Sequence, residues 1–192
     1  NRDVTTMTYD GFGRLRSTRS STGYRLVFSY DAMNRQTRTT YPDGTFEQTI
    51  WDRLDPVLQK DRIGRTTQSA YDSLDQKVLE VDPLGRKTQY KWCTCGSLAE
   101  LTDGNGNKTK WHHDIQGRLT SKVYADNSTV NYSYEPFAGW LRSRTDALSQ
   151  VTRYYFNPDN TPLKGGYDNP VHPTGGVTYA WDLNFKRLTG IN

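Results

Sequence analysis

Pairs of an aromatic residue and a carboxylate recur along the chain, and a phenol beside a carboxylate is a combination that could transfer protons. Seven pairs are complete: Tyr9-Asp10, Tyr30-Asp31, Trp51-Asp52, Tyr71-Asp72, His113-Asp114, Tyr134-Glu135 and Trp181-Asp182. Trp92-Cys93 and Tyr155-Phe156 fill two gaps, so successive anchors are 21, 21, 20, 21, 21, 21, 21 and 26 residues apart. Catalysis needs one distinctive constellation, whereas near-equivalent copies favour a structural role. We predict an aromatic ladder, turns fixed by the Asp residues, and no catalytic residue.

The only two cysteines, Cys93 and Cys95, could ligate a metal together with His112 or His113. On a strand, side chains two residues apart point the same way, and a bond between these two would be strained. His113 also stands at an aromatic anchor position, and no second cysteine pair supports a metal. We favour two reduced thiols, or cysteines that pair outside this chain, and predict no cofactor.

Carbohydrate binding is the alternative chemistry, because exposed Trp and Tyr rings can stack on sugar rings while polar side chains bond the hydroxyls. Trp140 follows a turn one residue longer than its equivalents. Tyr167 and Asp168 lie in the irregular segment 157–176, which holds four of the eight prolines. Because proline cannot donate to a β-ladder, we expect a loop or an edge there. These three residues are the candidate ligand-binding residues.

Each 21-residue unit contains two turn signals, which indicates two short strands per unit. A turn-forming residue stands four positions after the anchor, as in Gly13, Asn34 and Gly117, and a second turn follows about halfway, as in Asp82-Pro83-Leu84-Gly85. Aromatic residues two apart, such as Tyr90 and Trp92, share one strand face. We predict an all-β fold of about sixteen to eighteen strands, two per repeat, in consecutive antiparallel hairpins.

Composition agrees with strands and excludes several classes of protein. The 192 residues include 24 Thr and only 7 Ala, and 12% are aromatic, which favours strands over a helical bundle. The net charge of +4 resides in the first 40 residues, so nucleic-acid binding is not favoured. No apolar stretch approaches the about 20 residues of a membrane span. The chain has neither a starting Met nor a signal peptide, which suggests a piece of something longer.

The units resemble the bacterial RHS/YD repeat, in which Tyr-Asp-x-x-Gly-Arg-Leu alternates with Asp-Pro-x-Gly and a following Thr. Tyr9-Asp10-Gly11-Phe12-Gly13-Arg14-Leu15 matches the first half, and Asp82-Pro83-Leu84-Gly85-Arg86-Lys87-Thr88 matches the second. The resemblance implies a β-sheet that curls into a spiral or barrel-like hollow shell. Such shells belong to very large secreted or cell-surface proteins, among them toxin-complex subunits and teneurins, and several enclose a C-terminal toxin.

From these observations we expect residues 1–192 to form a single array of eight to nine repeats. The expected function is a non-enzymatic scaffold, part of a shell that encloses or presents a partner or toxin domain of the same parent protein. The alternative is a carbohydrate-binding module for cell-surface glycans. A scaffold should bury nearly all ladder aromatics, and open strand edges could allow edge-to-edge self-association.

Overall fold

The computed structural model describes residues 4–168, 174–182 and 184–192, and in these ranges it contains eighteen β-strands and no helix. The expectation of an all-β fold built from repeated antiparallel hairpins is confirmed. The described residues hold no helix with the length and hydropathy needed to cross a membrane. The strands are β1 (Thr6–Tyr9), β2 (Leu15–Arg19), β3 (Arg25–Tyr30), β4 (Gln36–Thr40), β5 (Phe46–Asp52), β6 (Asp55–Lys60), β7 (Thr66–Tyr71), β8 (Lys77–Val81), β9 (Lys87–Trp92), β10 (Leu98–Thr102), β11 (Lys108–His113), β12 (Leu119–Val123), β13 (Thr129–Tyr134), β14 (Leu141–Thr145), β15 (Val151–Phe156), β16 (Pro162–Asp168), β17 (Val177–Trp181) and β18 (Leu188–Ile191).

The chain divides into two compact units. The first comprises Asn1–Tyr90 and Thr102–Gly106, and the second comprises Lys91–Leu101 and Asn107–Asn192. In the first unit, consecutive strands from β1 to β8 pair antiparallel. In the second unit, consecutive strands from β11 to β18 pair in the same way. Each unit is therefore a meander of hairpins, and a single array over residues 1–192 stays a prediction.

Most hairpin turns share one design, in which an acidic residue opens the turn and a residue with positive φ closes it. In the first turn, the Gly13 amide donates to the Asp10 carbonyl at 3.0 Å, and the Asp10 amide donates to the Arg14 carbonyl at 2.9 Å. Gly13 has φ 77°, which glycine adopts without the steric cost that a Cβ imposes. Asn34 occupies the same place in the next such turn with φ 64°, since Asn tolerates this region well.

A β-bulge occurs at the anchor aromatic of every second described hairpin in both units, a feature that the repeat pattern does not predict. Tyr9 pairs with Leu15 although Thr8 pairs with Ser17, so one residue of β2 is skipped. The same shift occurs at Tyr30, Trp51, Tyr71, His113, Tyr134, Phe156 and Trp181. The alternate hairpins, such as β2–β3 and β12–β13, pair without a shift. Bulges bend a strand and raise its right-handed twist, so the distortion recurs with the repeat.

The position of the bulge on β15 shows that one predicted anchor residue is wrong. Phe156, not Tyr155, occupies the bulge position on β15, so the expected pair Tyr155-Phe156 was placed one residue too early. The turn from Glu135 to Trp140 explains the offset, because its closing bond runs from the Glu135 amide to the Trp140 carbonyl, one residue farther than in its siblings.

The anchor aromatics of the ladder are less buried than we expected. Val130, at 4% exposed, is the only buried hydrophobic residue among the described residues, and the anchor Tyr9 is 59% exposed. The other described anchor aromatics are half-buried, alternating with exposed neighbours as in β9 and β11. The burial of nearly all ladder aromatics that we expect of a scaffold is therefore not observed, and partial burial alone does not distinguish a scaffold from a carbohydrate-binding module. Since no helix covers these strands in the described residues, each ring is shielded mainly by side chains of adjacent hairpins.

The expectation of a loop or an edge over residues 157–176 is wrong for its central part. Residues Pro162–Asp168 form β16, which pairs with β15 on one side and β17 on the other. Proline is tolerated because Pro162 is the first residue of the strand and faces Phe156 at the bulge. Pro170 and Pro173 lie outside the described residues.

Candidate functional site: turn clamps, an aromatic cleft and a cysteine pair

At three anchors, Asp10, Asp31 and Asp114, the carboxylate holds its own turn. One carboxylate oxygen of Asp10, Oδ1, accepts hydrogen bonds from the amides of Phe12 at 2.9 Å and Arg14 at 3.0 Å. The other oxygen, Oδ2, pairs with Arg14 Nε at 2.7 Å. We call this arrangement a turn clamp. It recurs with the same three bonds at Asp31 with Arg35 and at Asp114 with Arg118.

The clamp also binds the next hairpin. Arg14 Nη1 donates to the Asp31 carbonyl at 3.1 Å and to Asn34 Oδ1 at 3.0 Å. The Arg14 guanidinium lies 4.9 Å from the centroid of the Tyr30 ring, and the Tyr30 hydroxyl donates back to the Leu15 carbonyl at 2.9 Å. One arginine and one tyrosine thus join consecutive repeats in both directions.

The same linkage appears in the second unit. The Arg118 guanidinium lies 4.7 Å from the centroid of the Tyr134 ring, and the Tyr134 hydroxyl donates to the Leu119 carbonyl at 2.9 Å. Partial burial raises the pKa of Tyr134. A phenol with a raised pKa stays protonated at neutral pH and keeps its role as donor.

Clamps occur at the other end of the strands as well. Asp61 and Asp82 open turns between β6–β7 and β8–β9, and each bonds the Nε atom of an arginine, Arg65 or Arg86, at 2.6 Å. The side-chain bond from Arg65 lowers the pKa of Asp61 below its ordinary 3.8, and Arg86 does the same for the pKa of Asp82. Partial burial raises the pKa of Asp114, but the hydrogen bonds from Arg118 outweigh it, so that pKa is also lowered.

Other anchors keep part of this geometry. Asp72 caps its turn by accepting from the amides of Leu74 and Gln76, with Gln76 where the arginine would be. Asp182 accepts from the amides of Asn184 and Phe185. Asp52 pairs with Asp55 in a shorter turn with Arg53 at φ 51°.

The anchor rings also take part in contacts that the repeat pattern did not reveal. Arg35 lies 4.6 Å over the Trp51 ring, and Trp181 Nε1 donates to the Pro162 carbonyl at 2.7 Å. Tyr71 and Trp92 are half-buried at the ends of β7 and β9.

Trp140 occupies the place of the clamp arginine rather than an anchor position. Its ring centroid lies 5.5 Å from that of Phe156, the next anchor, which parallels Arg14 over Tyr30. It borders a cleft of about 370 Å³ that is also lined by Glu135, Leu141, Arg142, Arg153, Tyr154, Tyr155 and Phe156. The ring therefore has a structural contact as well as an open side.

The other two candidate ligand residues do not line that cleft. Tyr167 borders a separate cleft of about 190 Å³ with Tyr179 and Pro162. Asp168 forms an ion pair with Arg153, and Arg153 belongs to the Trp140 cleft. Trp140 directly precedes β14, whereas Tyr167 and Asp168 lie on β16 with β15 in between, so the three candidates do not form one pocket.

Cys93 and Cys95 form a disulfide with each other, so the expectation of reduced or externally paired thiols is wrong. The sequence reasoning placed both residues on a strand, but they lie in the turn between β9 and β10. That turn brings their Cα atoms to 5.1 Å, within the range that a disulfide spans. Cys93 Sγ also accepts from the amides of Cys95 at 3.2 Å and Ser97 at 3.3 Å, as Asp10 Oδ1 does in its turn.

Of the two histidines considered as ligands, the structure brings only one to the cysteines. The ligand atoms of Cys93, Cys95 and His113 all lie within 4.8 Å of one another. His112 lines the same cleft as these three residues but lies on the exposed side of β11 and outside their group of ligand atoms.

Comparison with known proteins agrees with the repeat geometry. The family model "RHS Repeat" matches residues 9–45 and 96–129. Double-stranded DNA deaminase toxin A of Burkholderia cenocepacia (strain H111) is 28% identical over 132 residues, which cover 68% of this chain and 9% of that protein.

Solved toxin-complex structures share the fold. A TcdB2-TccC3-Cdc42 crystal structure matches with a TM-score of 0.60 and 16% identity, over 96% of this chain and 12% of that one. The Photorhabdus luminescens Tc holotoxin pore matches with a TM-score of 0.57 and 15% identity, over 96% and 12%. The chain thus spans about a tenth of the length of these relatives.

Proposed function

Because this chain belongs to the RHS/YD-repeat family, we propose that it is a length of shell wall in a large secreted or cell-surface bacterial protein. The wall encloses or presents an adjacent domain of the same protein. The observation that carries this proposal is the two-way linkage between consecutive hairpins through Arg14 and Tyr30, repeated at Arg118 and Tyr134. A sheet joined in this way resists shear between repeats without a thick core.

The regular bulges support a curved wall. Among the described strand pairs of each unit, a bulge occurs at the anchor end of every second hairpin and none is found in the alternate hairpins. A bend and extra twist of one hand at each repeat add up along a long antiparallel sheet. Such a sheet coils in one direction, as a wall that surrounds a lumen requires.

The carboxylates of the turn clamps are unsuited to acid–base catalysis, which supports a non-enzymatic role. Asp10, Asp31 and Asp114 already accept bonds from two amides and one guanidinium each. Their pKa values lie below the ordinary 3.8, since the hydrogen bonds outweigh partial burial. A general acid or base works best with a pKa near the operating pH.

Protease protection tests the enclosing role in the full-length natural protein. We expect the domain adjacent to this wall to stay uncut in the native protein and to be cut readily when expressed alone. Equal cleavage rates in the two settings would contradict enclosure, while leaving the repeat fold intact.

Carbohydrate binding is a second candidate, favoured by the open aromatic cleft beside Trp140 with its two arginines. A glycan-array screen of the chain tests it, with Trp140→Ala to remove the ring. Trp140→Arg is the matched control, because it restores the arginine found at this place in other clamps and keeps a side chain over Phe156. Saturable binding lost in both variants would support the candidate, and no binding by the unmodified chain would dismiss it.

A further inference from the structure

Three departures from the repeat pattern meet at one place in the second unit. Cys93 stands where most repeats have Asp, Cys95 stands at the turn tip where Phe12 and Leu74 stand in their turns, and His113 replaces an anchor Tyr or Trp. Their ligand atoms lie within 4.8 Å of one another. We propose that, when the Cys93–Cys95 disulfide is reduced, these three side chains bind one zinc ion.

Turn formation accounts for only one of the three residues. Cys93 Sγ accepts two amide bonds at 3.2 and 3.3 Å and so substitutes for the carboxylate of a turn clamp. That role requires neither a thiol at Cys95 nor an imidazole at His113. Both of those residues contribute zinc-ligating atoms, and both border the same cleft of about 540 Å³.

The distances suit a zinc site after small side-chain rotations. Tetrahedral zinc holds thiolate sulfur at about 2.3 Å and imidazole nitrogen at about 2.0 Å, so its ligand atoms are about 3.8 Å apart or less. The three ligand atoms lie within 4.8 Å of one another, at most about one ångström more than this, and the two sulfurs, which are bonded to each other here, move apart when the disulfide is reduced. Cys95 is exposed, and Cys93 and His113 are half-buried, so the side chains have room to turn.

The cleft of about 540 Å³ that the three residues border leaves room for a water molecule as the fourth ligand. Asp114, the nearest carboxylate in sequence, is already held by Arg118 Nε at 2.7 Å and by the amides of Gln116 and Arg118. Two thiolates, one imidazole and a water form a zinc set that proteins use when the ion keeps an exchangeable position.

The redox state decides whether the site exists. Reducing the disulfide takes two electrons and two protons, which two molecules of a small thiol provide as they join into their own disulfide. Zinc then displaces the two thiol protons and binds the two thiolates. In the oxidised form the sulfurs are bonded to each other and offer no thiolate. The site is therefore present in a reducing compartment and closed in an oxidising one.

Anaerobic titration of the 192-residue chain with Co²⁺, followed by displacement with Zn²⁺, tests this proposal. We expect the reduced chain to bind one equivalent with thiolate-to-cobalt charge-transfer absorption, and the oxidised chain to show none. His113→Tyr should weaken binding at least about tenfold, because even partners outside the ligand shell have effects of that size. This variant restores the residue found at other anchors, such as Tyr30 and Tyr134, so the fold is kept.

His112→Tyr is the matched control, since His112 is exposed and lines the same cleft but does not belong to the group of ligand atoms that lie within 4.8 Å of one another. Its affinity should equal that of the unmodified chain. Circular dichroism confirms that each variant is folded. Absence of the charge-transfer band in the reduced chain, or equal affinity with and without His113, would overturn the proposal.

Discussion

The guanidinium of Arg14 lies 4.9 Å from the centroid of the Tyr30 ring, so the arginine of one repeat is covered by the aromatic anchor of the next. The same residue holds Asp10 in its own turn and the Asp31 carbonyl in the following turn. Stability in this chain therefore depends on contacts between neighbouring repeats more than on a buried core, of which the described residues show little.

The hydroxyl of Tyr134 is one of these contacts, because it donates to the Leu119 carbonyl at 2.9 Å. Tyr134→Phe keeps the ring and removes only this bond, so we expect a loss of about 1 kcal/mol in the free energy of unfolding. Urea denaturation measures it. Tyr132→Phe is the control, since Tyr132 shares the strand and its half-buried face. An equal loss of unfolding free energy in the two variants would show that the bond from Tyr134 to Leu119 contributes nothing measurable to stability.

The turn clamps give stability a defined dependence on acid. Hydrogen bonding by Arg65 and Arg86 holds the pKa values of Asp61 and Asp82 below the ordinary 3.8. A lowered carboxylate pKa adds stability that is present above the unfolded-state value, and this stability is lost as the pH falls through the folded-state value. The melting temperature should therefore be flat from about pH 7 to 5 and fall below about pH 4.

The variants Arg65→Gln and Arg86→Gln together should reduce that acid-side fall, because they remove the guanidinium that lowers each pKa. Thermal melts from neutral to acidic pH provide the comparison. An unchanged slope in the double variant would mean that other carboxylates govern acid unfolding.

The closing position of each turn requires positive φ. Gly117 has φ 80° with no atom near its would-be Cβ, so Gly117→Ala should destabilise by about 1 kcal/mol through backbone strain alone. Gly117→Asn is the matched comparison, because Asn34 and Asn127 hold this turn position at φ 64° and 65°. We expect Asn to cost clearly less than Ala. Thermal unfolding of both variants measures the difference. Equal losses of stability would show that the positive φ at this position is not the cause.

The sulfur of Cys93 accepts the hydrogen bonds that close its turn, and this predicts how substitutions of Cys93 change the stability of the chain. In the presence of a reductant, Cys93→Asp should keep or raise the melting temperature, because a carboxylate restores the acceptor of Asp10. Cys93→Val has similar size but no acceptor and should lose about 1 kcal/mol. A Val variant as stable as the Asp variant would show that the bonds to Cys95 and Ser97 contribute nothing.

The turns could be predicted from the sequence because they depend on residues within a few positions of each other. The bulges and the bonds between repeats could not be predicted because they depend on how hairpins pair. Asp10 and Gly13 mark their turn because each acts on residues within four positions of itself. The bulge at Tyr9 and the bond from Tyr30 to Leu15 depend on register and on the neighbouring repeat. The cysteine pair was misjudged for a related reason, since the strand ends at Trp92 and the turn, not the strand, sets the distance between Cys93 and Cys95.

Cryo-electron microscopy of the full-length natural protein that contains this segment tests the central proposal most directly. Residues 9–191 should lie in a curved antiparallel sheet whose bulges repeat along one rim, within a closed wall around a lumen that holds the adjacent domain. A map in which these repeats form an open or flat sheet, with the adjacent domain outside it, would contradict the account.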